Sequence, residues 1–363
     1  MAYTTIDDPS AHFQTVIWSG NDSNPRTISH DGNSDMQPDW TWHKVRSHAA
    51  SHMLYDSTRG VGKRLHSDQT SAEATESAQG TITAFTSNGF TVNAGTSNDF
   101  YVNDSGKTYV AWNWKANGGT TSSNSDGGIT TTVQANTTAG FSIITYEGTF
   151  SSTSIGHGLN SAPEWLIFKN RESTDPWALW HVGLNFPTDD LIYFNTNGAN
   201  QHDPSFLNTA PSSSVITLGA YENTNQDNND LVCYAFHSVK GYSKFAKYTG
   251  NGANDGPFVY TGFKPAWLMT KRTNGTSNWV MHDNTRDPLN HSLSDNNTSN
   301  ARKNLFANLT SEEDSSRGVN FYSNGFKIEA ATDDLNNSGS PYIYMAFAEH
   351  PFVSSKGVPV TAR

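Results

Sequence analysis

The chain spells the same pattern three times. Pro38 and Trp40, Pro163 and Trp165, and Pro265 and Trp267 each open a run in which a lysine follows the tryptophan by four residues, at Lys44, Lys169 and Lys271. Twelve residues beyond each tryptophan a second apolar segment starts, at His52, Trp177 and Trp279. Such spacing held in three places does not arise by chance, and a period of about a hundred residues is too long for a solenoid and suited to whole domains. The 363 residues therefore read as three copies of one small module, which their length accommodates.

Each copy opens on an alternating apolar segment that ends at a glycine: Thr15 to Gly20, Ser142 to Gly148 and Lys244 to Gly250. From that glycine to the tryptophan run 20, 17 and 17 residues rich in Asn, Ser, Gly and Asp, which reads as strand, polar turn, strand. The tryptophan strand, clearest in Trp165-Leu166-Ile167-Phe168-Lys169, is apolar at consecutive positions, so it is expected to be central with both faces covered. The proline before it has no N–H to give and suits a strand's first position. Ser87-Asn88-Gly89-Phe90 recurs as Ser323-Asn324-Gly325-Phe326, an Asn-Gly turn feeding a strand, where the middle copy has Ser213-Ser214-Val215-Ile216. An aromatic strand closes each copy, Tyr109 to Trp114, Leu231 to Phe236 and Tyr342 to Phe347, its aligned position lying 72, 69 and 78 residues after the opening tryptophan.

Five or more strands with loop insertions predict an all-β chain of three tandem β-sandwich or jelly-roll repeat domains, with short helices in loops. Ser67 to Ala74 and Arg302 to Ala307 are the helix candidates. The expected boundaries are an N-terminal arm over 1–13, repeat 1 over 14–115, a flexible Gly/Ser/Thr/Asn linker over 116–140, repeat 2 over 141–241, repeat 3 over 242–352 and a polar tail over 353–363. Little more than His237 to Gly241 joins repeats 2 and 3, which predicts a fixed relation between them.

Charge excludes one class of partner. With 23 basic and 34 acidic residues the net charge is −11, and no Lys/Arg cluster relieves it, so a nucleic-acid backbone would be repelled. Charged residues are only 16% while aromatics reach 12%, the opposite of a disordered composition. The single cysteine, Cys233, excludes an intrachain disulfide and a multi-cysteine metal site, and reads as a buried small apolar residue. Met1 to Asp8 has neither a basic nor an apolar signal-peptide region, and no apolar run approaches a membrane span. Synthesis and folding in a cytoplasm are expected, with no signal peptide and no membrane insertion.

Few constellations carry chemistry. Of 13 histidines, His43, His48, His52 and His66 lie close together in the first copy, but no pair has His-Glu-x-x-His spacing. The other copies hold Phe168 and Trp177 where the first holds His43 and His52, so these two read as substitutes for packed aromatics or as surface residues. Asp31 to Asp35 and Asn225 to Asp230 show the alternating oxygens of a calcium loop, but the first has Trp42 in place of the closing glutamate and both read as polar turns. No cofactor is expected.

Asp56 with Arg59 recurs as Asp283 with Arg286, while the middle copy has His181 and Leu184. An active site would not need two copies and tolerate loss in a third, so an ion pair at a strand end is the expectation. The three repeated lysines are expected to lay their stems along the sheet with the ammonium at its rim. Asp189-Asp190, Glu312-Glu313 and Asp333-Asp334 are paired carboxylates, but adjacency alone does not supply glycosidase geometry, and there is no nucleophile elbow, P-loop or Rossmann fingerprint. The chain is therefore expected not to be an enzyme, with no catalytic or metal residues assigned. Trp40, Trp112, Trp114, Trp165 and Trp267 are expected in the core. Trp42, Trp177, Trp180 and Trp279 either pack on the opposite face or stack on sugar rings from an exposed sheet, and they are the candidate glycan-binding residues.

The repeated Pro-x-Trp with its lysine, the Ser-Asn-Gly-Phe segments, the strand Tyr109 to Trp114 and the stretch from Met36 to Trp40 continuing to Asp56-Ser57-Thr58-Arg59-Gly60 resemble tandem-repeat virion proteins of marine tailed phages. The likeness covers nearly the whole chain from Tyr3 onward. In general style the copies are also similar to concanavalin-like sandwiches, although each is small for that class. The resemblance implies a place on the virion surface, other virion proteins of tail or capsid as partners, and a homo-oligomer, trimers being the usual form of phage fibres although no heptad supports one here. It implies a tail fibre or spike component that contacts host-surface glycan. A capsid decoration or head-fibre protein is the alternative, and a polysaccharide depolymerase the third. Repeated domains let a particle present several weak contacts at once.

Overall fold

The computed structural model describes residues 3–75, 78–97, 101–184, 188–291 and 302–360, so the first two residues of the arm and the last three of the tail lie outside it. Copy 1 runs β1 (Phe13–Ser19), β2 (Arg26–Ser29), β3 (Trp40–Val45), β4 (Met53–Asp56), β5 (Thr81–Thr86), β6 (Gly89–Asn93) and β7 (Thr108–Trp114). The chain then adds β8 (Ser122–Asn124) and β9 (Thr131–Asn136). Copy 2 runs β10 (Phe141–Glu147), β11 (Thr153–Gly156), β12 (Trp165–Asn170), β13 (Ala178–His181), β14 (Asp190–Tyr193), β15 (Gln201–His202), β16 (Val215–Leu218), α1 (Glu222–Asn225) and β17 (Asp230–Phe236). Copy 3 runs β18 (Ser243–Thr249), β19 (Phe258–Tyr260), β20 (Phe263–Arg272), β21 (Val280–Asp283), β22 (Asn304–Phe306), β23 (Val319–Tyr322), β24 (Gly325–Ile328), α2 (Asp333–Asn336) and β25 (Pro341–Pro351).

The protein is all-β, and the three copies share one sandwich plan. Their main sheets contain the orders β1-β7-β3-β4, β10-β17-β12-β13 and β18-β25-β20-β21. In each, the tryptophan strand lies against the closing strand, with Trp40 opposite Trp114, Trp165 opposite Phe236 and Trp267 opposite Phe347. A smaller sheet faces each main one: β2-β6-β5, β11-β16 and β19-β24-β23. The Asn-Gly pair explains the difference in strand number. It turns β5 into β6 and β23 into β24, and the middle copy, which lacks it, has no such hairpin among the described residues.

Each sandwich has its own core, built around Trp18 and Phe90 in copy 1, Phe168 and Phe206 in copy 2, and Phe263 and Phe326 in copy 3. The opposite faces of the three main sheets meet in a fourth cluster that no single copy owns, containing Trp40, Trp42 and Trp114, Trp165, Trp177 and Tyr234, and Trp267, Trp279 and Phe347. Rings meet across every seam: Trp40 and Tyr234 at 4.6 Å, Trp165 and Trp279 at 6.1 Å, Trp114 and Trp267 at 5.5 Å. The consecutive apolar residues of β3 and β12 follow from this arrangement, since one face serves the sandwich, the other the shared core, and both strands are buried throughout.

Several local expectations are corrected. Residues 116–140 are no flexible linker, because β9 pairs with β10 and β8 with β9, and Asp39 of copy 1 accepts from the N–H groups of Ala116, Gly118 and Gly119 at 2.7 to 2.8 Å. The glycines supply turns rather than slack, Gly118 and Gly119 both lying at positive φ. Neither helix candidate is helical: Ala74 bridges to Arg64, and Arg302 to Ala307 contains β22, which pairs with β21. Strand pairing at long range overrides their local propensity. The described α-helices are instead single turns before the closing strands of copies 2 and 3, where the Thr224 and Leu335 carbonyls accept from Tyr146 and Tyr248 at 2.6 and 2.8 Å. The N-terminal arm is part of the body, since Ile6 lies in the shared core and Tyr3 donates its phenol hydrogen to Gly262 O at 2.8 Å.

Candidate ligand-binding face

The repeated polar residues build the seams between copies. Asp56 accepts the Arg59 backbone N–H at 2.7 Å and Arg59 Nε at 2.5 Å, and both side chains are fully buried. Asp283 and Arg286 repeat the arrangement. Arg59 continues to Glu73, which also takes Arg171 of copy 2 at 3.0 Å, and Arg286 continues to Glu313, which also takes Arg46 of copy 1 at 2.9 Å. Burial pushes the Glu73 carboxyl up, but Arg171 and Arg59 outweigh it and hold it at about 2. Three backbone bonds repeat with the same geometry, from the N–H groups of Glu73, Asn200 and Glu313 to the carbonyls of Arg171, Thr273 and Arg46 at 2.7, 2.8 and 2.9 Å. These charges are structural, as the ion-pair expectation has it.

The histidines substitute for aromatics. His43, at the Phe168 position, is fully buried with neither ring nitrogen hydrogen-bonded within the protein, and burial pushes it down to about 3. His52 imitates the indoles of Trp177 and Trp279. Its Nδ1 accepts from Trp42 Nε1 at 2.8 Å, so the ring proton sits on Nε2, which donates to Phe306 O of copy 3 at 2.9 Å. Trp177 likewise donates to His66 O of copy 1 at 2.8 Å, and Trp279 to Tyr193 O of copy 2 at 3.4 Å. Among the described residues no group of three or more His, Cys, Asp or Glu is placed to hold a metal ion. Asn225, in the second calcium-like stretch, is buried and commits its amide to Ser151 O and Gly219 O.

Lys44, Lys169 and Lys271 do not reach the rim. All three are buried, and each ammonium caps the carbonyl of the next residue, at 2.9, 2.6 and 2.7 Å. Burial lowers them to about 8, 8 and 7. The stem is too deep in the sheet to snorkel, and the turn after the strand supplies carbonyls in place of water. Cys233 is buried and free, as its apolar neighbours suggest.

Trp42, Trp177, Trp180 and Trp279 cannot stack on sugars, because all four are buried. The sheet face that carries Trp42, Trp177 and Trp279 is covered by the neighbouring copies, while Trp180 lies on the other face, in the core of copy 2 itself. That covering is a tertiary fact with no local signature.

Exposed rings gather elsewhere, on the outer sheet of copy 3. Along β19, Val259 points into the sandwich while Phe258 and Tyr260 stand out, 47% and 51% exposed. Gly325 of β24 pairs with Tyr260 on one side and with Tyr322 of β23 on the other. A Cβ there would lie 2.8 Å from Phe258 Cζ, so the glycine lets the Phe258 ring lean across the sheet, where it meets Tyr322 at 6.1 Å. Lys327 and Asn320 occupy the next row. At the other end Tyr260 meets the Tyr3 hydroxyl at 3.2 Å, and Lys244 Nζ sits 5.5 Å from the Tyr260 ring centre. Asn320 is buried and spends its amide on the His291 backbone, which leaves apolar ring faces beside a lysine and phenol hydroxyls that can stack on a flat, partly apolar ligand and bond its polar edge. The equivalent outward positions of β2 are Thr27 and Ser29, so the feature belongs to copy 3. Comparing the copies position by position, Phe258 and Tyr260 against Thr27 and Ser29, is the sequence signal that points to it.

A family model described as a domain of unknown function (DUF7483) matches residues 8–351. No curated protein and no solved structure matches the chain.

Proposed function

We propose that this chain, which belongs to the DUF7483 family, is a structural protein of a tailed-phage virion surface, a tail fibre or spike component that binds host-surface glycan through the face of Phe258, Tyr260 and Tyr322. The grouping of exposed rings carries this reading. All ten tryptophans are buried, and a contiguous aromatic patch left in water on such a chain marks a contact surface. A saccharide matches it, offering CH groups to the rings and hydroxyls to Lys327 and to the phenol hydroxyls of Tyr260 and Tyr322.

Location on the virion is inferred from the resemblance of the Pro-x-Trp and Ser-Asn-Gly-Phe repeats. The chain works by binding rather than turnover, and the paired carboxylates have structural partners: Asp334 holds Arg317 at 2.6 Å and Asp190 accepts from Asn200 at 2.8 Å. A capsid decoration protein is the second reading, favoured by Thr4 and Ile6, which are buried in the body so that the arm lies along it.

Immunogold labelling of intact particles tests the location, and adsorption of the purified chain to host cells tests the contact. Label at the tail, with adsorption competed by host polysaccharide, is expected. Label confined to the head ends the tail reading, and release of reducing ends from the polysaccharide ends the non-enzymatic one.

A further inference from the structure

The same slot occurs at each seam, between the opening strand of one copy and the tryptophan end of the copy before it, and at one seam it is a cleft. Between copies 1 and 2 it is filled by β9, which pairs antiparallel with β10 over Phe141 to Thr145, while its Gln134 amide donates to Ser57 and Thr58 of copy 1 at 2.9 and 2.8 Å. Between copies 2 and 3 the connection fills it, with Glu164 accepting the Ser238 N–H at 2.8 Å and Ser238 Oγ accepting the Phe245 N–H at 3.1 Å. Between copies 3 and 1 the same place is a cleft of about 250 Å³. Its walls include Gln14 and Thr15 of β1 and Ala266, Asn284 and Thr285 of copy 3, with the carboxylates of Asp8, Asp31 and Glu349 also lining it. Ala266, Asn284 and Thr285 stand where copy 1 has Asp39, Ser57 and Thr58, the residues that grip the β8–β9 insertion.

Two further features mark the cleft as a strand acceptor. β1 is an edge strand, and its sequence, Phe-Gln-Thr-Val-Ile-Trp-Ser, carries no charge and no proline, with Ile17 41% exposed. Edges are ordinarily guarded by such residues, as β18 is by Lys244 and Lys247. Thr15, which lines the cleft, is buried with its hydroxyl unbonded within the protein. The arm borders the cleft through Asp8 and Ser10 without filling it, its start being held at Gly262 O by Tyr3, and the tail is held through Ser355 and Asp7.

We propose that this cleft receives an extended strand from a second protein chain, running antiparallel to β1 in the register that β9 takes on β10. Phe13 to Ile17 supply the main-chain ladder, as Phe141 to Thr145 do for β9. A side-chain amide at the position of Gln134 meets Asn284 and Thr285, and a residue of Thr or Val character at the neighbouring positions suits the half-buried slot, as in Thr131-Thr132-Val133.

The test is hydrogen exchange of the full chain with a synthetic peptide of the sequence Ile129 to Thr137 at millimolar concentration. Exchange over residues 13–17 is expected to slow about tenfold or more. The peptide carrying Gln134→Leu protects less, and the one carrying Val133→Pro not at all. Because these changes lie in the peptide, no failure of the protein to fold imitates the result. Unchanged exchange at 13–17, with or without faster exchange over 131–136 as the peptide displaces β9, overturns the proposal. Protection of 13–17 that rises with protein concentration alone assigns the cleft to a second copy of this chain and overturns the separate partner. Glycan binding at the aromatic face is unaffected in every case.

Discussion

Tyr234 donates its phenol hydrogen to Asp56 at 2.7 Å, across the seam from copy 2 to copy 1. Trp112 of copy 1 donates its indole N–H to Asp283 of copy 3 at 3.0 Å in the equivalent place. The third seam presents Met345 at this position, which has no hydrogen to give, and there the Asp–Arg pair is absent, its places taken by His181 and Leu184. Arg171 and Arg46 have Thr273 as their counterpart, so the whole ionic set is missing from that seam. The acid is kept where the neighbouring copy solvates it and replaced where it does not, as expected if a buried charge is tolerable only when fully bonded.

Asp56→Ala leaves the buried Arg59 with Glu73 as its one carboxylate partner and is expected to cost about 3–5 kcal/mol in urea denaturation. Tyr234→Phe removes one bond to a charged acceptor and is expected to cost about 1.5–3 kcal/mol. Copying the third seam, Asp56→His with Arg59→Leu and Tyr234→Met, is expected to be milder than Asp56→Ala alone. A triple variant less stable than the single one contradicts this account of the seams.

Acid sensitivity is set by histidines. Burial holds His43, His181 and His282 at about 3, far below the ordinary imidazole value. The unfolded chain therefore takes up protons first as pH falls below about 6.5, and stability drops by about 1.4 kcal/mol per pH unit for each of them until their folded values are reached. The buried lysines act at the other end. With folded values of about 8, 8 and 7, their charged forms are disfavoured, so stability rises with pH from that range towards about 10.5. Denaturation midpoints at pH 4.5, 7 and 9.5 are expected to increase in that order, and a flat profile between 4.5 and 7 contradicts the buried neutral imidazoles.

His52→Phe keeps the ring but loses both hydrogen bonds, stranding Trp42 Nε1 and the Phe306 carbonyl. A loss of about 1–3 kcal/mol is expected. Calorimetry at neutral pH reads it, and an unchanged melting temperature shows that the seam does not need this bond.

Phe258→Ala and Tyr260→Ala are expected to abolish retention on host polysaccharide while changing stability by no more than about 0.5 kcal/mol each. Trp177→Ala, at one of the residues first suggested by the sequence, is expected instead to cost about 3–5 kcal/mol through a cavity in the shared core. Retention that survives both surface changes removes the aromatic face as the site.

The succession of strands along the chain is legible in the spacing of Pro-x-Trp and lysine, and in copies 1 and 3 of Ser-Asn-Gly-Phe, because a strand's period and an Asn-Gly turn are local properties. The central position of Trp165 to Lys169 is legible for the same reason. What covers those strands is not, since the shared core exists only once three copies meet, and this is why the sequence leaves open an exposed place for Trp42, Trp177 and Trp279 beside the packed one it favours. Residues 116–140 mislead because their composition is that of a tether, while their structure comes from pairing with β10 and from the grip of Asp39. Phe258 and Tyr260 are ordinary strand residues until Gly325 and Tyr322 are placed beside them.

Three sandwiches close around one aromatic core and stand or fall together. Scanning calorimetry of the whole chain tests this most directly. A single transition is expected, with calorimetric and van't Hoff enthalpies in agreement. Two or three resolved transitions, each carrying its own share of the enthalpy, would mean that the copies are independent domains and that the core joining Trp40, Trp165 and Trp267 does not hold them as one.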